Sequence, residues 1–386
     1  MVSVFSQRAL AIKESQIREA SRYCDRYGAL NLAQGLPDFA APLALKEAAQ
    51  RAIAADWNQY ADPWGLAALR QGLAEKLQRD NGIAANPDTE ITVCCGATEG
   101  LNLALMALVD PGDRVLIFEP FYENYVPNLA TVGGVPVFFP LDTAPIDRER
   151  LAAVFAQGLK AVIVNTPSNP TGKVWSREEL SWLAELCDRH NVYAITDEIY
   201  EHILYSGEHH SLLAWPEMRE RTVLVNGFSK TFCVTGWRLG YTVACPALTA
   251  AMRRIHDFLT ICAPAPLQHA AVVALAFGEE YFTELAHQYR TKRTLLLPAL
   301  QKCGLNPVPP QGAYYIWADG RAIAADGAAA AEGLAREAGL AVVPGACFTR
   351  GDRSPYIRFC FAKKDETLLT AVDRLQEWQA TRRPAA

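Results

Sequence analysis

Between about residues 90 and 245, short apolar runs rich in β-branched residues alternate with longer amphipathic stretches. The strand candidates are 91–95 (ITVCC), 114–119 (RVLIFE), 135–139 (VPVFF), 160–165 (KAVIVN), 192–197 (VYAITD), 222–226 (TVLVN) and 239–244 (LGYTVA). Several are apolar nearly throughout instead of alternating, the pattern of strands buried on both faces of a mainly parallel sheet. The stretches between them have readable helix starts. Ser176 followed three residues later by Glu179, ahead of LSWLAELCDRH, is a capping box. This rhythm predicts an α/β domain, a mainly parallel seven-stranded sheet between helices.

After 245 the pattern changes. A long helical stretch covers about 246–303. AYYIWA (313–318), LAVVP (340–344) and YIRFCFA (356–362) then read as strands, with helices near 328–338 and 365–380. A second, smaller α+β domain is expected. The implied division is an N-terminal segment 1–45 packing with the small domain, a large domain 46–285 and a small domain 286–386. The terminal RRPAA is expected to fray. There is no internal repeat and no low-complexity linker.

Composition narrows the function. The chain has 386 residues, half of them apolar, more than one hydrophobic core usually serves. The formal net charge is −5 and charge of both signs is mixed along the chain, so no basic patch offers a nucleic acid or an anionic membrane a footing. The opening MVSVFSQRALAIKES lacks the continuous apolar core of a signal peptide, and no apolar stretch approaches the ~20 residues that span a bilayer. A soluble, cytoplasmic protein is expected. The ten cysteines (24, 94, 95, 187, 233, 245, 262, 303, 347 and 360) form no C-x-x-C pair, and several sit in apolar runs, where Cys acts as a small hydrophobe. They read as reduced structural thiols.

In open α/β sheets ligands sit beyond the carboxyl ends of the strands, so the residues that follow each strand carry most information. Strand 91–95 runs into Gly96-Ala97-Thr98-Glu99-Gly100, small residues opening a helix. Such a start offers free N–H groups to a phosphate, although Gly at this junction is more often plain turn geometry. Strand 160–165 is followed by Thr166-Pro167-Ser168-Asn169-Pro170-Thr171-Gly172, by itself a loop. Strand 192–197 ends on Asp197, with Tyr200 three residues on; a carboxylate there is often a helix cap. Strand 222–226 leads to Gly227-Phe228-Ser229-Lys230 and then Thr235-Gly236-Trp237-Arg238, where a lone Lys would ordinarily be a solvated charge.

Taken together, Asn-Pro-Thr-Gly from 169, Asp-x-x-Tyr 28 residues on, Ser-Lys with its lysine 33 further, and Arg eight beyond resemble the signature of fold-type-I aminotransferases. These are enzymes that use pyridoxal 5′-phosphate (PLP). The resemblance runs from NLAQGLPDF (31–39) to YIRFCFA (356–362). It implies that Lys230 forms the Schiff base with PLP and moves the proton between substrate Cα and cofactor. Asp197 would hold the pyridine nitrogen protonated, and Asn169 and Tyr200 would hydrogen-bond the phenolic oxygen. Arg238, Ser229 and the backbone at Ala97 and Thr98 would hold the phosphate, with Tyr122 stacking on the ring. Where the family often has Ser three residues before the lysine, this chain has Gly227, which removes one phosphate hydroxyl. Tyr60, in NQYADPWG, matches a tyrosine that reaches the phosphate of the neighbouring subunit, implying a homodimer with shared sites. Arg358 would clamp the substrate α-carboxylate with Gly35 closing over it; taken alone, Arg358 would be a strand arginine paired with a surface acid.

NLAQGLPDF, EPFYENY and YIRFCFAK are similar to the branch holding kynurenine aminotransferase, glutamine transaminase K and bacterial methionine aminotransferase. Where the kynurenine enzymes have a tryptophan near the N-terminus this chain has Ile17, and Ile261 and Cys262 replace a Phe-His pair. The resemblance therefore implies an apolar but less aromatic pocket, and a neutral donor such as methionine, glutamine, leucine or phenylalanine, with an α-keto acid as acceptor in a ping-pong reaction. No second arginine for a dicarboxylic substrate is evident. The rivals are a PLP-dependent cysteine-S-conjugate β-lyase, which would share the same lysine, aspartate and arginine, and a non-catalytic ligand sensor. The sensor would need a fused DNA-binding domain, and only about 40 residues precede the alternating region. His202, His209 and His210 lack metal-motif spacing and are expected in a solvated loop, with no metal. The chain has no G-x-G-x-x-G after its first strand and no G-x-S-x-G, which disfavours a nicotinamide cofactor and a serine hydrolase. Gly172-Lys173 resembles a P-loop tail without its first glycine.

Overall fold

The computed structural model describes residues 5–141, 146–351 and 353–382. Twelve strands occur among them: β1 (Leu30–Asn31), β2 (Ile91–Cys94), β3 (Arg114–Glu119), β4 (Val135–Pro140), β5 (Ala161–Asn165), β6 (Tyr193–Asp197), β7 (Thr222–Gly227), β8 (Gly240–Val243), β9 (Tyr315–Asp319), β10 (Leu340–Ala341), β11 (Val343–Pro344) and β12 (Tyr356–Cys360). The main sheet has seven strands in the order β2-β8-β7-β6-β5-β3-β4. All pairings are parallel except those of β8, which runs against both β2 and β7. The sequence's apolar runs fit this arrangement because alternate residues of one strand are buried on opposite faces. Val115, Ile117, Ile163, Ile195 and Val223 pack with Leu101 and Leu105 of the helix Ala97–Leu108. Their neighbours Leu116, Val162, Val164 and Ala194 pack with Leu180, Leu183 and Leu186 of the helix Arg177–His190. The Ser176–Glu179 capping box starts that second helix.

Two readings of element boundaries need correction. The stretch 246–303 is three helices, Pro246–Leu259, Ala265–Leu275 and Glu279–Lys302. The first break carries Ile261 at φ 69° with Pro264 just before the second helix, and Gly278 precedes the third. The run LAVVP is two short strands, not one. β10 pairs in parallel with β1, whereas β11 pairs antiparallel with β12, which also pairs with β9. One buried apolar run thus serves two sheets, and apolarity alone did not mark the switch. The N-terminal segment is tied to this region: Leu32 N–H donates to Ala341 O at 2.9 Å, and Cys360 N–H to Leu32 O at 2.8 Å. The C-terminal helix Asp365–Arg382 takes in the first residue of RRPAA, and the last four lie outside the described residues. All ten cysteines are free. Among the described residues no helix is long and apolar enough to cross a membrane.

Two of the three histidines are enclosed by protein, while His210 lies in a loop, partly exposed beside Glu208. The side chain of His209 is 7% exposed, with Nε2 2.8 Å from Glu198 Oε2, and His202 stacks on Phe282 at 4.3 Å. The neighbouring Glu201 accepts from Lys76 Nζ at 2.5 Å and from Asn226 Nδ2 at 2.7 Å. Glu198, Glu201 and His209 bring metal-ligand atoms within 4.8 Å of one another, but the Lys76 ammonium is the cation that Glu201 faces. Burial raises the Glu201 carboxyl, yet Lys76, His202 and His209 outweigh it and hold it well below the usual carboxylate range. This network lies directly behind Asp197 and Tyr200, joining the end of β6 to the helix Ala67–Lys76.

Lys76→Met should destabilise the protein by about 3–5 kcal/mol at neutral pH, the usual cost of stripping one partner from a buried ion pair. Because the Glu201 carboxyl is depressed, the pair's contribution is present above the ordinary carboxylate range and is lost as pH falls through its lowered value. Urea midpoints for both proteins at neutral and strongly acid pH check this; equal midpoints at neutral pH would contradict it.

Candidate active site

A cavity of about 320 Å³ opens at the carboxyl ends of the central strands. Asp197 is the last residue of β6 and Gly227 the last of β7; Asn169 follows β5 by four residues. The site residues that the resemblance implied all line this cavity except Tyr60, which is 78% exposed; Ile261 and Cys262, expected to shape the pocket, are not among its lining residues.

One end is built to meet an anion. The helix Ala97–Leu108 begins after Gly96 with no side-chain cap, leaving its first N–H groups available beside Ala97 and Thr98. Gly96 has φ 84°, and a Cβ there would lie 2.5 Å from Arg238 Nη2, so the close approach of the guanidinium requires glycine. Ser229 and Thr235 add hydroxyls to this end. Gly227, where a serine was expected from the family, leaves no room for one: its Cβ would stand 2.8 Å from Leu239 O and 2.9 Å from Gly240 Cα.

In the middle of the cavity, Asp197 Oδ2 accepts from the Tyr125 hydroxyl at 2.7 Å, and Oδ1 accepts from Ile199 N–H at 3.4 Å. Asp197 keeps some surface open to the cavity, yet protein packs around it closely enough that burial pushes its carboxyl up. Tyr125, Ile199 N–H and Lys230 oppose the shift without cancelling it. Lys230 Nζ donates to Gly35 O at 3.1 Å. Burial, aided by Arg358 and Arg238 and opposed by Cys360 and Asp197, presses this ammonium down to about 8. Tyr122 forms an edge-on pair with Tyr125 at 5.7 Å, and the Tyr200 and Tyr315 hydroxyls are 3.0 Å apart.

The other end holds Arg358, which β12 places between β9 and β11 and which is 1% exposed. Its Nη1 donates to Asn169 Oδ1 at 2.8 Å and its Nη2 to Ala33 O at 2.7 Å; the guanidinium lies 4.2 Å over the Tyr315 ring. Its Nε has no partner, and among the described residues no carboxylate pairs with it. The plain alternative, a strand arginine answering a surface acid, is therefore wrong. A buried guanidinium without an anion can take a carboxylate in a forked pair. Gly35 is required beside it, because a Cβ there would sit 2.0 Å from Tyr315 Oη. Ile17 packs near Trp317 and Phe348 and lines the same end, together with Ser15 and Arg18.

Sequence reasoning missed Tyr125, Tyr315, Thr235 and Arg18. Tyr125, three residues after Tyr122 in EPFYENY, was visible as a paired aromatic spacing, but its bond to Asp197 was not. Arg18 corrects the expectation that no second arginine is at hand: it lines the cavity, exposed and with no ion pair among the described residues.

Comparison with known proteins adds the following. The sequence pattern of the aminotransferase class I and II family matches residues 27–375. The methionine aminotransferase of Escherichia coli (strain K12) is 38% identical over 365 residues, 93% of this chain and 94% of that protein. The aspartate/prephenate aminotransferase of Thermus thermophilus is 39% identical over 351 residues, 89% of each. The crystal structure of Escherichia coli YbdL, which identified a methionine aminotransferase function, superposes with a TM-score of 0.92 at 36% identity, over 97% of this chain and 100% of that one.

The lowered Lys230 ammonium has a direct consequence. In the cofactor-free protein, reaction of Lys230 with an amine-selective reagent should rise with pH and reach half its maximum near pH 8, because the neutral amine is the nucleophile. Asp197→Asn should move that midpoint down, since the carboxylate favours the ammonium. Peptide mapping of the modified lysine at each pH measures it; a midpoint at the ordinary lysine value of about 10.4 would contradict it.

Proposed function

The chain belongs to the class I and II aminotransferases, enzymes that use pyridoxal 5′-phosphate, and we propose that it moves the amino group of a neutral L-amino acid to an α-keto acid through Lys230. The observation that carries this reading is the pairing, in one cavity, of a lysine pressed down to about 8 with a buried arginine that has no anion of its own. The enclosed Asp197 carboxylate, still raised despite its hydrogen bonds, fits a cationic ring nitrogen. The glycine-floored cradle at Gly96 and Arg238 fits a phosphate.

When bound, the cofactor supplies an aldehyde carbon for an amine and a protonated ring that accepts the electron pair released at the substrate Cα. Lys230 would hold the cofactor and would carry the proton to and from the substrate Cα. Asp197, oriented by Tyr125, keeps the ring nitrogen protonated. Asn169 Nδ2 is left to donate to the phenolic oxygen, the Tyr200 hydroxyl would donate there while accepting from Tyr315, and Tyr122 would cover the ring face. Arg238, Ser229 and the N–H groups at Ala97 and Thr98 hold the phosphate. Arg358 takes the substrate α-carboxylate, with the Gly35 segment above it.

Ile17 and Tyr122 give the substrate end an apolar wall, which supports a methionine-, glutamine- or aromatic-like side chain. Tyr60 stands apart from the cavity of its own chain, on a surface that also exposes Trp57. Phe258, Leu259 and Ile261 are exposed as well. In the homodimer we infer, Tyr60 reaches the phosphate of the second copy. Arg18 favours a second reading, in which the side chain of the substrate is a carboxylate.

Lys230→Ala should keep its thermal midpoint but lose transamination by at least about 10²–10⁴-fold, the range of a positioned proton carrier; near-native turnover would sink the assignment. Methionine or glutamine should exceed aspartate in kcat/KM by about tenfold or more, with Arg18→Ala leaving that ratio in place. A wild-type preference for aspartate that Arg18→Ala removes would establish the second reading instead.

A further inference from the structure

Behind the Gly96 cradle lies a group of side chains that the reading above leaves unused. Glu99, 6% exposed, is the third residue of the helix Ala97–Leu108, and its carboxylate accepts from Cys95 N–H and from the Thr260 hydroxyl. It also lies 2.8 Å from Nδ1 of His256, a ring that is 0% exposed on the helix Pro246–Leu259. The other ring nitrogen, Nε2, is 2.9 Å from the carbonyl oxygen of Pro63. A carbonyl can only accept, so Nε2 carries a proton. Nδ1 and the carboxylate oxygen repel at 2.8 Å unless a proton lies between them, so the two share one. Burial raises the Glu99 carboxyl, but the bonds from His256, Thr260 and Cys95 N–H outweigh it and bring it below its usual range. With Nε2 protonated as well, the two residues together carry no net charge, whichever atom holds the shared proton.

This pair sits in the first turn of the helix whose free N–H groups face the phosphate. An anion there steadies the helix start, yet at the same place it repels a bound phosphate. We propose that His256 is a positioning residue for the cofactor: it cancels the charge of Glu99, so that the phosphate meets only the helix start and Arg238. Its second bond, to Pro63 three residues beyond Tyr60, also fixes the loop that leads to the exposed tyrosine. The proposal rests on the phosphate-holding role given above to Ala97, Thr98 and Arg238.

The test compares PLP with pyridoxal, which has no phosphate, by their Kd for cofactor-free wild type, His256→Gln, Glu99→Gln and the double variant. His256→Gln should bind PLP about tenfold more weakly and pyridoxal unchanged. Removing both charges in Glu99→Gln/His256→Gln should restore PLP binding to within about twofold of wild type. Equal losses for both ligands, or a double variant no better than the single one, would show a merely structural role and overturn the proposal. Should thermal melting show that His256→Gln does not fold, Glu99→Gln alone decides: it should bind PLP at least as tightly as wild type, and weaker binding overturns the proposal. Wild type that prefers PLP no more than pyridoxal would instead bring down the phosphate-cradle reading itself.

Discussion

At the end of β6 the protein encloses the Asp197 carboxylate with one tyrosine hydroxyl and one backbone N–H, and among the described residues no ion pair forms with it. Burying an anion this way is costly unless a cation comes to it, and the carboxyl is accordingly held above its usual range. The same enclosure presses the Lys230 ammonium down, and Arg358 waits at the other end without an anion. Each of these charges is poorly satisfied by the protein alone and well satisfied by one ligand set. In the proposed function a cationic ring nitrogen would answer Asp197, an aldehyde the lysine amine, and an α-carboxylate Arg358.

The fold makes this arrangement rigid. Asp197 and Gly227 terminate adjacent parallel strands, with strand register Asp197↔Val225, so the carboxylate and the Ser229–Lys230 turn emerge side by side. Arg358 comes from a different sheet, where Trp317 and Val343 flank it in register. Tyr200 and Ile199, just beyond Asp197, belong to the hydrophobic cluster that also holds Tyr315, Ile316 and Phe359. The end of the large sheet and the small sheet are therefore packed as one body around the cavity. The buried Lys76–Glu201 pair supports the same corner from behind.

Much of this was legible in the sequence, for identifiable reasons. Parallel strands buried on both faces announce themselves as continuous apolar runs, and the residues that follow them had to be the ones beside a ligand. That reasoning pointed to the segments after the strands, and the resemblance to the aminotransferases then singled out Asp197, Lys230 and Arg238, each of which alone read as a helix cap or a solvated charge. It failed where a partner comes from elsewhere in the chain. The bond of Tyr125 to Asp197 spans 72 positions, and the pairing of Tyr315 with Tyr200 spans 115. His209 was misread as solvated because its partner Glu198 and the Lys76 ammonium nearby lie on segments whose convergence no local pattern shows. The run LAVVP hid a change of sheet because all its residues are buried whichever sheet they join.

In the proposed function Lys230, which lines the cavity with Asp197, is the residue that bonds the cofactor. Reducing the cofactor-loaded protein with borohydride, digesting it and locating the cofactor's mass on a peptide tests that claim directly. The account predicts the label on Lys230 alone, with none recovered after Lys230→Ala. A label on any other lysine, or a loaded wild-type protein that takes up no label, would contradict it.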